Sequence, residues 1–257
     1  MPTAAYIGTT ANLLPLEWVQ GVRMSQGGRH SIQESASRSW VFVSHGSRRP
    51  PSRTWEVTLI ASASTLANLE ALANGAFGDG PFRWVPEGAY ITNAATPAQS
   101  LLPDGVGGSL AVVDGHVGRS SLGPGDATLA AGVAVLPGQP VTISADASGA
   151  STVTGTFRNA TGSVVGAISG TSVGALMQRV SATAPAAPST ARTIDVSISG
   201  HVAAARPQVT WTRRLQPWGP GGGATSVVIE SLDSAPRHLD GARGLLYDTS
   251  LKLREVG

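Results

Sequence analysis

The sequence has no cysteine and only one lysine, Lys252, among its 257 residues. Without cysteine, neither a disulfide framework nor a thiolate metal site can form. The single lysine does not follow a glycine-rich turn, so a Walker phosphate-binding loop is also excluded. No run of about 18 apolar residues occurs, which argues against a transmembrane helix.

Charged residues are scarce at 13%, whereas hydrophobic residues make up 41% of the chain. The remainder is dominated by small residues and turn formers, including 32 glycines and 17 prolines. Glycine and proline favour tight turns, and valine and threonine suit a pleated surface. Alternating apolar residues along the chain argue against disorder. The composition therefore predicts an all-β fold with enough apolar material for its cores.

The net charge is +2, and arginine supplies nearly all of the positive charge. Only Arg48, Arg49 and Arg53 approach a basic cluster, and prolines interrupt it. Nucleic-acid binding would need a concentrated basic stripe, so we expect none. The amino terminus lacks a basic segment followed by an apolar one, which argues against a signal peptide. We expect a soluble product that is made in a cytoplasm and does not insert into a membrane.

Two segments of the first hundred residues have clear periodicity. In R-T-W-E-V-T-L-I, Trp55, Val57 and Leu59 alternate with polar residues, as in a strand with one buried face. Farther along, Leu66, Leu69, Leu72 and Ala73 recur at helical spacing. Ser64 is the predicted N-cap of this helix, and Gly75 the residue that follows its carboxyl end.

A change in composition divides the chain. Residues 92–108 are small, polar and rich in turn formers, and beyond them aromatic residues become rare. The later segments read as strands spaced about 10–20 residues apart, which suits a jelly-roll sandwich. T-I-D-V-S-I-S, for example, would place Ile194, Val196 and Ile198 inside. We therefore predict two β-sandwich domains in tandem, residues 1–100 with one short helix and residues 101–257.

No set of residues points to catalysis. The five histidines are scattered, and no two are spaced to share a metal ion. No carboxylate pair stands out as the acid and base of a glycosidase. We expect no catalytic residue, metal or cofactor, and we rank a wall-degrading hydrolase well below a structural or binding protein.

The first domain resembles the distal-tail family of bacteriophage minor tail proteins. The residues that carry this resemblance run from Arg53 to Asn93: the R-x-W-E-V-x-L strand, the leucine helix, F-G-D-G-P-F-R-W and an asparagine. In that family such a domain forms a ring that joins the tail tube to the tip. The resemblance implies a virion protein of a siphophage tail tip, with tail-tube and tail-tip (hub) proteins as partners.

The second domain is similar to jelly-roll carbohydrate-binding modules appended to tail proteins of phages that infect actinobacteria. P-G-Q-P-V-T-I-S-A-D-A-S, P-Q-V-T-W and W-G-P-G-G-G-A-T-S-V-V-I-E-S-L carry the similarity, together with the segment Met177–Gly200 and the closing L-K-L-R-E-V-G. The resemblance implies attachment to host cell-wall polysaccharide. An adsorption protein on the tail periphery is the alternative to a ring subunit.

Aromatic residues are the candidates for sugar binding, because sugar rings stack on them. Trp218 lies between proline and glycine in a predicted loop and is the first choice, followed by Trp211 and Tyr247. Trp211 alternates with Val209 in a predicted strand, which favours burial instead.

Arginine and tryptophan residues of the first domain are candidates for subunit contacts, since both types are enriched at interface hot spots. The resemblance to the distal-tail family implies a homo-oligomeric ring, six-fold as is usual in that family. Trp18, Trp40, Trp55 and Trp84 are more tryptophans than one small core needs. The arginines in or beside predicted turns are Arg23, Arg29, Arg38, Arg48 and Arg49.

Overall fold

The chain folds almost entirely into antiparallel β-sheets, which confirms the predicted all-β class. The computed structural model describes residues 5–26, 30–34, 40–44, 52–101, 109–113, 116–120, 127–240 and 244–256. The strands are β1 (Ala5–Gly8), β2 (Leu13–Leu16), β3 (Val19–Gln26), β4 (His30–Glu34), β5 (Trp40–Ser44), β6 (Arg53–Ser62), β7 (Phe82–Val85), β8 (Ser109–Val113), β9 (His116–Ser120), β10 (Ala127–Ala134), β11 (Val141–Ser148), β12 (Thr152–Arg158), β13 (Val164–Thr171), β14 (Gln178–Ala184), β15 (Thr193–Ser199), β16 (Ala203–Thr210), β17 (Ala224–Asp240) and β18 (Gly244–Glu255). The helices are α1 (Ala63–Ala73), α2 (Ala89–Thr92) and α3 (Pro97–Ser100).

The chain forms two compact units, each built from two separate segments. Unit 1 comprises Met1–Leu16 and Phe82–Thr225, and unit 2 comprises Glu17–Pro81 and Ser226–Gly257. This division differs from the predicted domains 1–100 and 101–257. The composition break near residue 100 reflects local chain chemistry, whereas the units are set by strand pairing between residues far apart in sequence.

Unit 1 contains a β-sandwich of two antiparallel sheets. Its four-stranded sheet has the order β10-β15-β12-β13, and its five-stranded sheet the order β14-β11-β16-β9-β8. When β9 to β16 are counted from one to eight and β8, the additional strand beside β9, is left aside, these orders become 2-7-4-5 and 6-3-8-1. This is the strand order of a jelly roll. The jelly-roll topology expected for the later part of the chain is therefore present.

The core of the sandwich consists of side chains that alternate along its strands. Ile194, Val196 and Ile198 are fully buried, as their spacing predicts. Ile143 and Phe157 join them in one continuous core. Full burial of a side chain of this size stabilises the fold by about 1.5–3 kcal/mol.

Unit 2 contains the antiparallel strands β17-β18-β6-β3 and the helix α1, which packs against β6 and β18. Trp55, Val57 and Leu59 are buried on β6 while Glu56 and Thr58 are exposed, so the predicted alternation is confirmed. The carboxyl-terminal strand β18 lies between β17 and β6, which is why the last residues belong to this unit and not to the sandwich.

Helix α1 has the predicted buried leucines, Leu66, Leu69 and Leu72. Ala73 is exposed, and the N-cap is Ser62 in place of the predicted Ser64. The Ser62 hydroxyl accepts a hydrogen bond from the Thr65 amide at 3.2 Å, so the helix begins two residues earlier than expected. Gly75 follows the helix with φ of 75°, as predicted for that position.

An ion pair joins the first residue of β6 to the last residue of β18. The buried Arg53 side chain donates from Nε to Glu255 Oε2 at 2.8 Å and from Nη2 to Oε1 at 2.7 Å. Its guanidinium also lies 4.7 Å from the centre of the Trp55 ring. The R-x-W-E-V segment and the carboxyl-terminal E-V-G segment, far apart in sequence, thus meet in one sheet.

Strands β4 and β5 form a separate ladder in which His30 pairs with Ser44 and Glu34 with Trp40. Among the described strands, these two pair only with each other. Strand β3 has one partner among the described strands, β6.

Candidate functional site

The outer face of the five-stranded sheet holds a cluster of buried polar side chains. Strand β11, V-T-I-S-A-D-A-S, directs its apolar residues inward and Thr142, Ser144, Asp146 and Ser148 outward. All four outward side chains are nevertheless buried. Other parts of unit 1 must therefore cover this face, and a buried polar group needs hydrogen-bonding partners.

Asn93 attaches one covering segment, residues 89–100, to β16. Its side-chain oxygen accepts from the amides of Val209 and Ala95, both at 3.1 Å. Its amide nitrogen donates to the carbonyls of Pro207 at 3.1 Å and Gly219 at 3.0 Å. These four bonds satisfy the Asn93 side chain. They bind residues 89–100 to the sandwich.

The second covering segment is the glycine-rich loop, residues 212–223. The Gly221 amide donates to Ser100 Oγ at 2.8 Å, and the Gly223 amide to the Ala95 carbonyl at 3.0 Å. A Cβ added to Gly221 would fall well inside contact distance of the Ala95 and Thr96 carbonyl oxygens. Glycine is thus required here because two backbones approach closely.

Asp146 is the centre of the buried polar cluster. Its carboxylate, 2% exposed, accepts from Arg179 Nη1 at 3.1 Å and from Arg206 Nε. Arg179 also donates from Nη2 to Ser144 Oγ and Gln208 Oε1, each at 2.8 Å. Burial lowers the pKa of Arg179, and the neighbouring Asp146 carboxylate offsets part of that effect. The carboxylate thereby compensates the charge of a mostly buried guanidinium.

Gln208 links this cluster to both covering segments. Its amide nitrogen donates to the Thr92 carbonyl at 2.6 Å and to the Pro217 carbonyl at 2.9 Å. The position of the loop that bears Trp218 is therefore coupled to Asp146 and Arg179 through one side chain.

Arg206 occupies a bulge in β16, where the pairing with β11 shifts register. Its φ is 49°, a conformation that costs a non-glycine residue about 1–2 kcal/mol. The bulge brings its guanidinium to 5.5 Å from the centre of the Trp218 ring, while Nε contacts Asp146. Bulges commonly redirect a side chain next to a functional site. Arg206, one third exposed, and Trp218 form what we term the Arg–Trp platform.

Trp218 was predicted as an exposed ligand residue, and the structure places it half-buried in the covering loop. Its indole nitrogen is enclosed and has no acceptor in the described part of the chain. The ring is thus part of the cover of the sheet as well as a surface group.

Trp211 is a correction to the predicted binding residues. It is 7% exposed, stacks on Tyr90 at 5.3 Å and meets the edge of Tyr6 at 5.1 Å. Its indole nitrogen donates to the Ala134 carbonyl at 3.0 Å. This contact set belongs to a core residue, as the alternation with Val209 also indicated.

Tyr247, the third predicted aromatic, is half-buried on β18 and belongs to unit 2, so it is not part of the sandwich. Of the predicted interface arginines, Arg23 is exposed on β3 opposite Glu56. Arg29, Arg38, Arg48 and Arg49 lie outside the described residues. Of the predicted interface tryptophans, Trp55 and Trp84 are buried and Trp18 is exposed. The side chain of Trp40 lies outside the described part of the structure.

Two further polar residues lie in loops of the sandwich. His201 is buried, its Nδ1 has no partner among the described residues, and burial lowers its pKa.

The sequence reasoning passed over Gly170–Gly174, which fits the G-x-S-x-G pattern of serine hydrolases. Here Ser172 joins two strands and its hydroxyl donates to the Gly149 carbonyl at 3.2 Å. The strand-to-helix turn that this motif needs does not occur at Ser172.

The residues that sequence reasoning missed are Asp146, Arg179, Arg206, Gln208 and Asn93. Arg206 carried no local signal, since its role depends on a bulge and on a tryptophan twelve positions away. Within the described residues, no group of three or more histidine and acidic side chains is placed to hold a metal ion.

No protein-family model, curated protein or solved structure matches the chain at a significant level. None of the described helices has the length and apolarity required to cross a bilayer.

Proposed function

We propose that this chain is a structural subunit of a bacteriophage tail tip, in which unit 2 assembles into a ring and the unit 1 sandwich binds cell-wall glycan. The observation that carries the proposal is the division of the chain. One unit gathers both the R-x-W-E-V strand and the carboxyl-terminal strand, and a complete jelly roll is inserted between them in sequence.

The inserted sandwich supports the binding role. A jelly roll with its own core can be added to a scaffold without disturbing it, and such insertions succeed where few contacts are interrupted. On this sandwich, the Arg–Trp platform combines an aromatic ring with a charged hydrogen-bond donor. Rings that stack and donors that bind hydroxyl oxygens are the two kinds of contact by which proteins hold sugars.

Unit 2 supports the assembly role. The β4–β5 ladder pairs with no other strand in the described part of the chain. A two-stranded ladder by itself is marginally stable in water and gains from pairing or packing elsewhere. Strand β3 pairs with β6 alone among the described strands, and a strand with one unpaired edge can accept a strand from another chain. A ladder on one subunit that meets an edge on the next makes a head-to-tail contact, which closes into a ring when the rotation permits.

Electron microscopy of the purified chain tests the assembly role. We expect rings, six-fold by resemblance to the distal-tail family, at high protein concentration. Proline at two positions of β5, in the variant Val41→Pro/Val43→Pro, removes ladder donors and should abolish the rings. Trp218→Ala is the matched control and should leave them intact. Two results would refute the assembly proposal. One is rings that persist in the proline variant, and the other is intact tails on which the wild-type chain forms no ring.

A co-sedimentation assay with insoluble actinobacterial cell walls tests the binding role. The wild-type chain should sediment with the walls, and Trp218→Ala should sediment less while keeping its unfolding transition. If the wild-type chain stays in the supernatant at all wall concentrations, the sandwich is not a wall-binding module.

A further inference from the structure

We infer that the ligand of the Arg–Trp platform is an anionic glycan, a polymer whose sugars carry carboxylate or phosphate groups. This inference rests on the proposed function, because it specifies the charge of the polysaccharide that the sandwich would bind. It is carried by the distribution of charge around Trp218.

The first observation is the charge of the chain segment that bears the platform. Residues 196–229 contain three arginines and no acidic residue. Arg213 and Arg214 are exposed in the same loop as Trp218, and Arg206 lies beside its ring. This segment therefore carries three positive groups and no carboxylate of its own.

The second observation is the position of Asp146, a carboxylate that Arg206 contacts. Asp146 is 2% exposed and lies between Arg179 and Arg206. It is bound by both guanidinium groups and buried, whereas the Arg206 side chain is one third exposed to solvent. Among the described contacts, two arginines share this one carboxylate.

The third observation is how firmly the platform is held. Arg206 Nε contacts Asp146, and its backbone carbonyl accepts from Arg179 Nη1 at 2.6 Å. Gln208 fixes the loop of Trp218 through the Pro217 carbonyl. A planar guanidinium that is already positioned recognises carboxylate and phosphate groups better than a mobile lysine would.

These three observations together favour one ligand class. A sugar ring can stack on the indole of Trp218, and an acidic substituent can meet Arg206, Arg213 or Arg214. A neutral glycan could stack on the tryptophan and accept hydrogen bonds from Arg206, but it would gain nothing from the positive charge of the loop.

The test is titration of the full chain with three polymers in low salt: polygalacturonate, poly(glycerol phosphate) and neutral dextran. We expect both anionic polymers to bind at least about tenfold more tightly than dextran, with the difference shrinking as salt screens the charges. The two anionic polymers separate carboxylate from phosphate as the preferred group.

The double variant Arg213→Gln/Arg214→Gln leaves the Asp146 cluster intact and should weaken anionic binding by about tenfold at low salt. Arg206→Gln should weaken it further, and its unfolding transition shows whether the fold survives. Arg237→Gln, an exposed arginine of unit 2, is the matched control and should change nothing.

The outcomes separate this inference from the proposed function. Equal binding of dextran and the anionic polymers, unchanged in the double variant, overturns the inference and leaves glycan binding in place. No binding to any polymer or to cell walls overturns both. Binding of duplex DNA as tight as that of the glycans, with no effect of Trp218→Ala, would show a non-specific basic surface and also overturn the inference.

Discussion

In the four-stranded sheet of the sandwich, the outward side chains of β12 stay partly exposed, whereas those of β11 in the five-stranded sheet are buried. Both strands alternate apolar and polar residues in the same way. On β12 the outward threonines lie in a row with Ser197 on β15 and Ser169 on β13, and water can reach them. On β11 residues 89–100 and 212–223 lie over the polar side chains, which then need protein partners.

The difference between the two faces shows that the same alternation can serve two purposes. On the open face the hydroxyl groups are solvated, and their loss costs little. On the covered face each polar group takes part in a network that holds the covering segments, and removal of one member leaves others buried without a partner. The following predictions compare matched substitutions on the two faces, beginning with the largest expected effect.

The largest difference is expected between two aspartates that each bind arginine. Asp146→Ala leaves the mostly buried Arg179 without its carboxylate and should lower the free energy of unfolding by about 3–5 kcal/mol. Asp195→Ala on the open face removes a partly exposed pair with Arg158 and a hydrogen bond from the Gly132 amide, at a cost of about 1–2 kcal/mol. Urea unfolding followed by tryptophan fluorescence measures both. Equal losses would mean that the cover does not isolate Asp146 from water.

A smaller effect is expected when the cover itself is disturbed. Gly221→Ala places a methyl group against the Ala95 and Thr96 carbonyls and should destabilise the sandwich by about 2–3 kcal/mol. Gly162→Ala in the β12–β13 turn has open space around it and a φ of 84°, so only backbone strain of about 1 kcal/mol applies. Thermal unfolding compares the two variants. If Gly221→Ala costs no more than Gly162→Ala, the loop is free to move away from residues 94–96.

The smallest difference is expected for a pair of isosteric changes. Thr142→Val on the covered face removes hydrogen bonds to Thr183 Oγ1 at 2.9 Å and to the Thr212 carbonyl at 2.7 Å, and should cost about 1 kcal/mol. Thr154→Val on the open face should change stability by less than about 0.5 kcal/mol. The same urea assay applies to both. A stabilising Thr142→Val would show that its hydroxyl is poorly satisfied in the fold.

Periodicity in the sequence was sufficient to predict the strand of Trp55, the strand of Ile194 and the leucine helix. The burial of Trp55, Val57 and Leu59, and of Ile194, Val196 and Ile198, follows from spacing alone, because successive residues of a strand point to opposite faces. The N-cap of α1 was displaced by two residues, since Ser62 and Ser64 both precede the leucines and local pattern does not distinguish them.

The candidate site could be predicted only in part. Trp218 was recognisable from its loop sequence, and the burial of Trp211 from its alternation with Val209. Asp146 could not be recognised, because nothing near it in sequence shows that Arg179 and Arg206 pair with it across neighbouring strands. Its partners come from β14 and β16, more than thirty residues away in each case.

By itself, the sequence determined that this chain is an all-β protein, where most inward-facing residues lie and that a jelly roll occupies its later part, because these properties depend on the local alternation of residues. Only the tertiary structure decided that the last strand belongs with the early R-x-W-E-V strand, that residues 89–100 cover a sheet and that Arg206 meets Trp218. These arrangements depend on which strands pair with each other. Segments far apart in sequence compete for that pairing, and the local sequence pattern does not show which of them will pair.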